Sequence, residues 1–248
     1  MTESKTDIIL ENTLVDSSQD NDMLANDMLD EETAPFDFLA VIYSEQDLEG
    51  VTDPIKILNA WMDMPEVNMH GPEHHVLDGA ALLVALDNWF KQNPERAAQL
   101  HEWRQKQADR LNEGEEDKDY LEIPAMNLTE AIDELIERAA DYPGGACGFL
   151  GVCGATISCG TAFSIFSVTT PLSDETWSQS AELTGKILSK LSESSGPRCC
   201  KRNAYLALEV TSDYLLKKYD IDLGMDHDIK CSYFDQNEDC LFADCLYF

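Results

Sequence analysis

Basic residues are scarce in this chain: 17 Lys and Arg stand against 48 Asp and Glu in 248 residues, a formal net charge of −31. A surface of that sign repels phosphate backbones and anionic lipid headgroups, which excludes nucleic-acid or membrane-surface binding as the main function. The opening Met1-Thr-Glu-Ser-Lys-Thr-Asp7 lacks the basic start and apolar stretch of a secretory signal, so the expected location is cytoplasmic. Cysteine is missing from the first 146 residues, and all eight lie beyond them. In a reducing cytosol they are expected to serve as thiols, metal ligands or catalytic groups rather than as disulfides.

Charge is missing from residues 144–172, 29 positions in a row, which is long enough to raise a membrane span. The stretch holds six glycines, and its flanks are mainly acidic with no Lys/Arg cluster to set an orientation. A buried central helix with a glycine-rich entry fits it better than a span.

What is present divides the chain in two. Among the first fifty residues are fourteen acids and one base, Lys5, so residues 1–35 are expected to be an acidic disordered tail. Residues 36–248 are expected to form a single helical Cys/His-rich domain. Asp53-Pro54 opens a helix through Trp61, and Pro72 starts another through Ala80, Leu83 and Trp89. Residues 79–86 are apolar on nearly every side, as in a core helix. Pro94 starts a third, fading into the acidic loop Glu113–Asp119. Asn127 with Glu130 is a capping-box-like start for the helix of Ile132, Leu135 and Ala139. Pro171 is expected to stop the apolar helix and Ser173 to cap the next, with Trp177, Ala181, Thr184, Leu188 and Leu191 on one face. Gly196-Pro197 leads into a last helix carrying Ala204, Leu208, Thr211 and Leu215 on one stripe. The fold class is all-α, an irregular helical bundle around the 155–170 helix with a cysteine-rich C-terminal segment.

Three constellations carry chemistry. His70-Gly-Pro-Glu-His-His75 places three of the five histidines at a helix start. His74 and Asp78 share a helix face, and His70 can fold back over the first turn. Such a group can bind a metal or act as a base with its orienter, or simply cap and pack the helix. Gly196-Pro-Arg-Cys-Cys-Lys-Arg202 places two thiols beside three bases. With Pro197 in the first helical turn, the dipole and the cations would depress the cysteine pKa, and Arg198, Lys201 and Arg202 would suit an anion. Packed thiols with balancing charges are the alternative. Cys231, Cys240 and Cys245 then suggest a metal site with Cys199 or Cys200 as fourth ligand, or an open three-cysteine cluster, against a docked aromatic segment. Cys147 and Cys153 sit in a glycine-rich turn that could aim either at a ligand, whereas Cys159 reads as a core residue.

With these residues in view, the chain from about Glu66 resembles the domain of unknown function 5714 family. The matching pieces are His70–His75, Gly148-Phe-Leu-Gly-Val-Cys-Gly154, Thr170-Pro-Leu172, Gly196–Asn203 and the Cys231/Asn237/Cys240/Cys245 tail. It departs from the family pattern at Cys245-Leu246, where a proline is expected after the cysteine. The resemblance implies an anaerobic setting, which suits an oxygen-sensitive cluster, and a methyltransferase as a possible partner.

The expected function is that of an iron–sulfur or other thiolate-metal enzyme acting on a small anionic or sulfur-containing substrate, by sulfur transfer or a redox step. Cys199, Cys231, Cys240 and Cys245 are the expected metal ligands. His70, His74, Cys200 and Arg198 are the expected catalytic groups, and Arg198, Lys201 and Arg202 the substrate-binding ones. The alternative is a zinc-stabilised accessory module for a methyltransferase or corrinoid system. A metal-free thiol redox protein is a third reading, opposed by the strained ring that adjacent cysteines would form.

Overall fold

Asp53 and Asn127 are helix caps in structure as in sequence. The Asp53 carboxylate accepts from the N–H of Ile55 at 2.9 Å, and Asn127 accepts from Thr129 at 3.0 Å while its amide reaches Glu130. The computed structural model describes residues 36–44, 47–112 and 127–248; the expected acidic tail and the loop Glu113–Asp119 lie outside them. Among the described residues the elements are α1 (Phe38–Ile42), α2 (Pro54–Met62), α3 (His74–Gln92), α4 (Pro94–Asn112), α5 (Leu128–Ala139), α6 (Ala146–Phe149), α7 (Gly154–Ser167), α8 (Glu175–Leu191) and α9 (Cys200–Tyr219). Two short 3-10 turns, Phe234–Gln236 and Phe242–Asp244, follow. The described residues contain no strand, so the fold is all-α. None of their helices is long and apolar enough to cross a membrane.

Two helices share the centre. α3 packs most extensively on α7, with α2 and α5 also against it, and α7 is further covered by α5, α8 and α9. The α3–α7 crossing depends on Gly79, since a Cβ there would stand 2.5 Å from the Ser158 carbonyl. The Gly79 N–H instead donates to Ser158 Oγ at 2.7 Å, and that hydroxyl donates on to the Val76 carbonyl. Leu77, Leu82, Leu83, Leu86 and Phe163 are fully buried around this contact. Each such side chain contributes about 1.5–3 kcal/mol relative to exposure.

Three boundaries and one helix face differ from expectation. α3 begins at His74, with Pro72 in the preceding turn. α7 ends at Ser167 because Val168 adopts the left-handed conformation (φ 56°), before Pro171 is reached. The buried Arg104 closes that end, its Nε donating to the Phe166 carbonyl at 2.9 Å. Asp174, not Ser173, precedes α8, and Ser173 Oγ accepts from the Thr170 N–H. Trp177, Ala181, Thr184, Leu188 and Leu191 lie along α8 as spaced, but the buried residues are Thr176, Leu183 and Ile187, and Trp177 is 56 % exposed. Of the expected face, Thr184 does approach α7 closely: a Cβ on Gly160 would stand 2.6 Å from its methyl. On α9, Ala204, Leu208, Thr211 and Leu215 are all buried, as the stripe predicts.

Residues 220–248 leave regular structure after the left-handed Asp220. Buried Ile221, Leu223, Tyr233 and Tyr247 hold the segment to the bundle. Tyr233 donates to Asp63 at 2.7 Å, and Cys231 N–H to the Tyr247 carbonyl at 2.7 Å.

Candidate functional site

The start of α9 divides two pockets. Cys199 precedes the helix in extended conformation (φ −141°, ψ 112°), so successive side chains leave in different directions. Cys199 turns to the C-terminal segment and Lys201 to the interior. The Cys200 N–H donates to His70 Nδ1 at 3.4 Å. Arg202 forms part of the wall of both pockets.

The first pocket is lined by Cys199, Cys231, Cys240 and Cys245, with an apolar rim that includes Tyr233, Phe234, Leu241, Tyr247 and Phe248. The Sγ atoms of Cys231 and Cys240 each accept a backbone N–H from two residues on, Tyr233 and Phe242, at 3.4 Å. Burial pushes the Cys199 and Cys231 thiols up. Backbone N–H groups oppose the rise at both, and the other cysteines of the pocket add to it at Cys231. As arranged, no group of three or more His, Cys, Asp or Glu side chains among the described residues is poised to hold a metal ion. The backbone brings the four thiols to one pocket; the side chains are not drawn together.

The second pocket is a wide cleft lined by His70, Cys147, Cys153, Arg198 and Asn203, with Leu188 and Leu191 of α8 opposite. Cys153 precedes α7, and its sulfur accepts from Asn203 Nδ2 at 3.3 Å. Burial raises the Cys153 thiol, and the Asn203 amide and the Ala155 N–H partly offset it. Arg198 is exposed and makes no hydrogen bond or ion pair with the described residues.

Behind the cleft, the histidines join the three constellations. His70 Nε2 meets Asn237 Oδ1 at 3.2 Å; because its Nδ1 accepts from Cys200, this nitrogen carries the proton and donates. His74 is buried, with Nδ1 3.3 Å from Asp78 Oδ1 and Nε2 3.3 Å from Lys201 Nζ. Lys201 also donates to the Asn68 carbonyl at 3.0 Å and lies over the Tyr233 ring. Burial pushes Asp78 up and Lys201 down, while their mutual attraction, with His74 between them, opposes both shifts. Asp78 Oδ2 is buried without a hydrogen-bond partner among the described residues.

Three roles read from sequence change here. Lys201 and Arg202 are not free to bind an anion. Lys201 is 1 % exposed, and Arg202 spends its guanidinium on the Ser195 and Pro197 carbonyls. Pro197 lies before the helix, not in its first turn. The expected activation of Cys200 is reversed: burial pushes its thiol up to about 12, outweighing the opposing Gly71 N–H. His74 faces Asp78 and Lys201 instead of the cleft, whereas His70 and Arg198 do line it. The roles of Asn203, Asn237 and Tyr233 escaped sequence reasoning because each acts on a partner distant in the chain. His75 escaped it too, although it stands inside the histidine cluster.

An all-helical, cysteine-rich bundle with two pockets meeting at the start of α9 is thus the class that fold and site define. The chain belongs to a family of unknown function (DUF5714), which it matches over residues 43–112 and 122–248. No curated protein and no solved structure matches it.

Proposed function

We propose that this is a thiolate-metal protein in which Cys199, Cys231, Cys240 and Cys245 hold one metal centre. The centre ties the C-terminal segment to the start of α9, beside a cleft for a small anionic or sulfur-containing substrate. The observation that carries this reading is the meeting of four cysteines in one pocket, two of them receiving backbone N–H groups at sulfur. Such hydrogen bonds stabilise thiolate, the form that binds metal. Binding requires the four side chains to close by rotamer changes on a backbone already in place. The exposed Arg198 guanidinium, without an ion-pair partner among the described residues, supports an anion in the cleft, which His70 also lines as the proton-moving group.

The segment that carries Cys231, Cys240 and Cys245 has two 3-10 turns as its regular structure. This favours the zinc form, in which metal binding supplies folding free energy to such a segment. The protein should be purified without oxygen and analysed for zinc, iron and acid-labile sulfide, alongside its Cys231→Ser and Cys240→Ser variants. Zinc lower by one equivalent in both variants than in the wild-type protein is the expected result for this centre. Iron with sulfide, lost in the same variants, would keep the thiolate centre and restore the cluster. A wild-type protein without metal, or variants that keep all of it, would overturn the reading.

A further inference from the structure

His75 is a buried imidazole with one nitrogen committed and one free. Its Nδ1 lies 2.9 Å from the Tyr142 carbonyl, which can only accept, so Nδ1 carries the proton and Nε2 the lone pair. Nε2 has no hydrogen-bond partner among the described residues, although His75 is only 8 % exposed. Metal-binding histidines are commonly held in this manner, the second ring nitrogen donating to a carbonyl.

The free edge of the ring faces the start of α7. A Cβ on Gly154 would stand 1.8 Å from His75 Cδ2 and 2.3 Å from Nε2. Cys153 is the adjacent residue, its sulfur oriented by the Asn203 amide at 3.3 Å. Cys147 lines the same cleft as Cys153, on a loop bounded by left-handed glycines, Gly145 at φ 76° and Gly151 at φ 73°. A Cβ at Gly144, Gly148 or Gly151 would meet nothing within 4 Å, so the segment around Cys147 is uncrowded. As arranged, the three side chains are not drawn together among the described residues, and binding requires Cys147 to approach the other two. Tyr142 anchors both sides, its carbonyl holding His75 and its hydroxyl donating to the Val152 carbonyl at 3.0 Å.

We infer that His75, Cys147 and Cys153 form a second soft-metal site, binding zinc or a similar thiophilic divalent ion through three protein ligands. The fourth position opens to the cleft, where Arg198 favours an anionic ligand. Three protein ligands with one open position distinguish reactive zinc sites from closed structural ones. This site is separate from the tetrathiolate pocket and shares no ligand with it.

The test is a cobalt(II) titration of the full-length protein, stripped by chelator without oxygen, following thiolate-to-cobalt charge-transfer absorption and bound metal by elemental analysis. The wild-type protein should take up two equivalents. Cys147→Ser and Cys153→Ser should each lose one and keep the other, while Cys231→Ser loses the complementary one. Asn203→Ala should weaken the cleft site about tenfold without removing it. Cys147 lies on the four-residue α6 and is not in the core, so its variant keeps the fold, checked by far-ultraviolet circular dichroism. A single equivalent lost only in Cys231→Ser would overturn the second site and leave the tetrathiolate centre. A single equivalent lost only in Cys147→Ser and Cys153→Ser would do the reverse. No uptake would overturn both.

Discussion

The tail pocket and the cleft hold similar residues on opposite kinds of scaffold. The tail pocket is built from a segment whose only regular structure is two 3-10 turns, closed by Phe234, Phe242 and Phe248 in edge-on contact. The cleft is built where two long helices begin, one of them locked to α3 by backbone contacts that admit no side chain. A segment with few buried apolar groups gains most from a cross-link, whereas a rigid helix start needs none and can hold a ligand in place. The same thiol chemistry is thus assigned a holding role in the tail and a ligand-facing role in the cleft.

The largest expected effect bears on the tail. Chelation should lower amide hydrogen-exchange protection across residues 221–248 by on the order of a hundredfold or more, while α3 and α7 keep theirs, because the proposed centre cross-links the tail and not those helices. Equal loss in both regions would erase the distinction.

Gly154→Ala addresses the cleft. The added methyl overlaps the His75 ring, and overpacking of this kind costs about 1–3 kcal/mol, readable by denaturant unfolding. Cleft cobalt uptake should fall with it, and tail uptake should not. Unchanged stability would mean that His75 is not wedged against α7.

The smallest effect concerns pH. Burial raises Asp78, so the folded protein holds that proton more tightly than the unfolded chain does. The stability from this group is therefore greatest in acid and falls as pH rises from the ordinary carboxylate range through the raised value. Asp78→Asn should flatten that part of the stability–pH curve; an identical slope in both proteins would place the charge elsewhere.

Helix starts were legible because their signals are local: Asp53-Pro54, Pro94 and the Asn127/Glu130 pair act within one turn. The burial of Ala204, Leu208, Thr211 and Leu215 was legible for the same reason, since period alone defines that stripe. The face of α8 was not, because which of its residues are buried depends on how it packs on α7 and α9. The histidine and cysteine groups were visible as groups, but their meeting depends on contacts such as His70 with Asn237, far apart in the chain. Lys201 misled most. A lysine beside two arginines reads as surface, and the groups that allow its burial, the Asn68 carbonyl, His74 and the Tyr233 ring, come from two distant segments.

The junction of Cys199 and Cys200 has a thermodynamic consequence. One thiol lines the tail pocket, and the next residue's N–H holds His70 at the edge of the cleft. An ion at Cys199 and a cleft ligand held through His70 would therefore pull on a single peptide unit. By linkage, whatever factor an ion in the tail applies to cleft affinity, an ion in the cleft must apply to the tail. Cobalt titrations begun from either half-filled state should yield the same cooperativity factor.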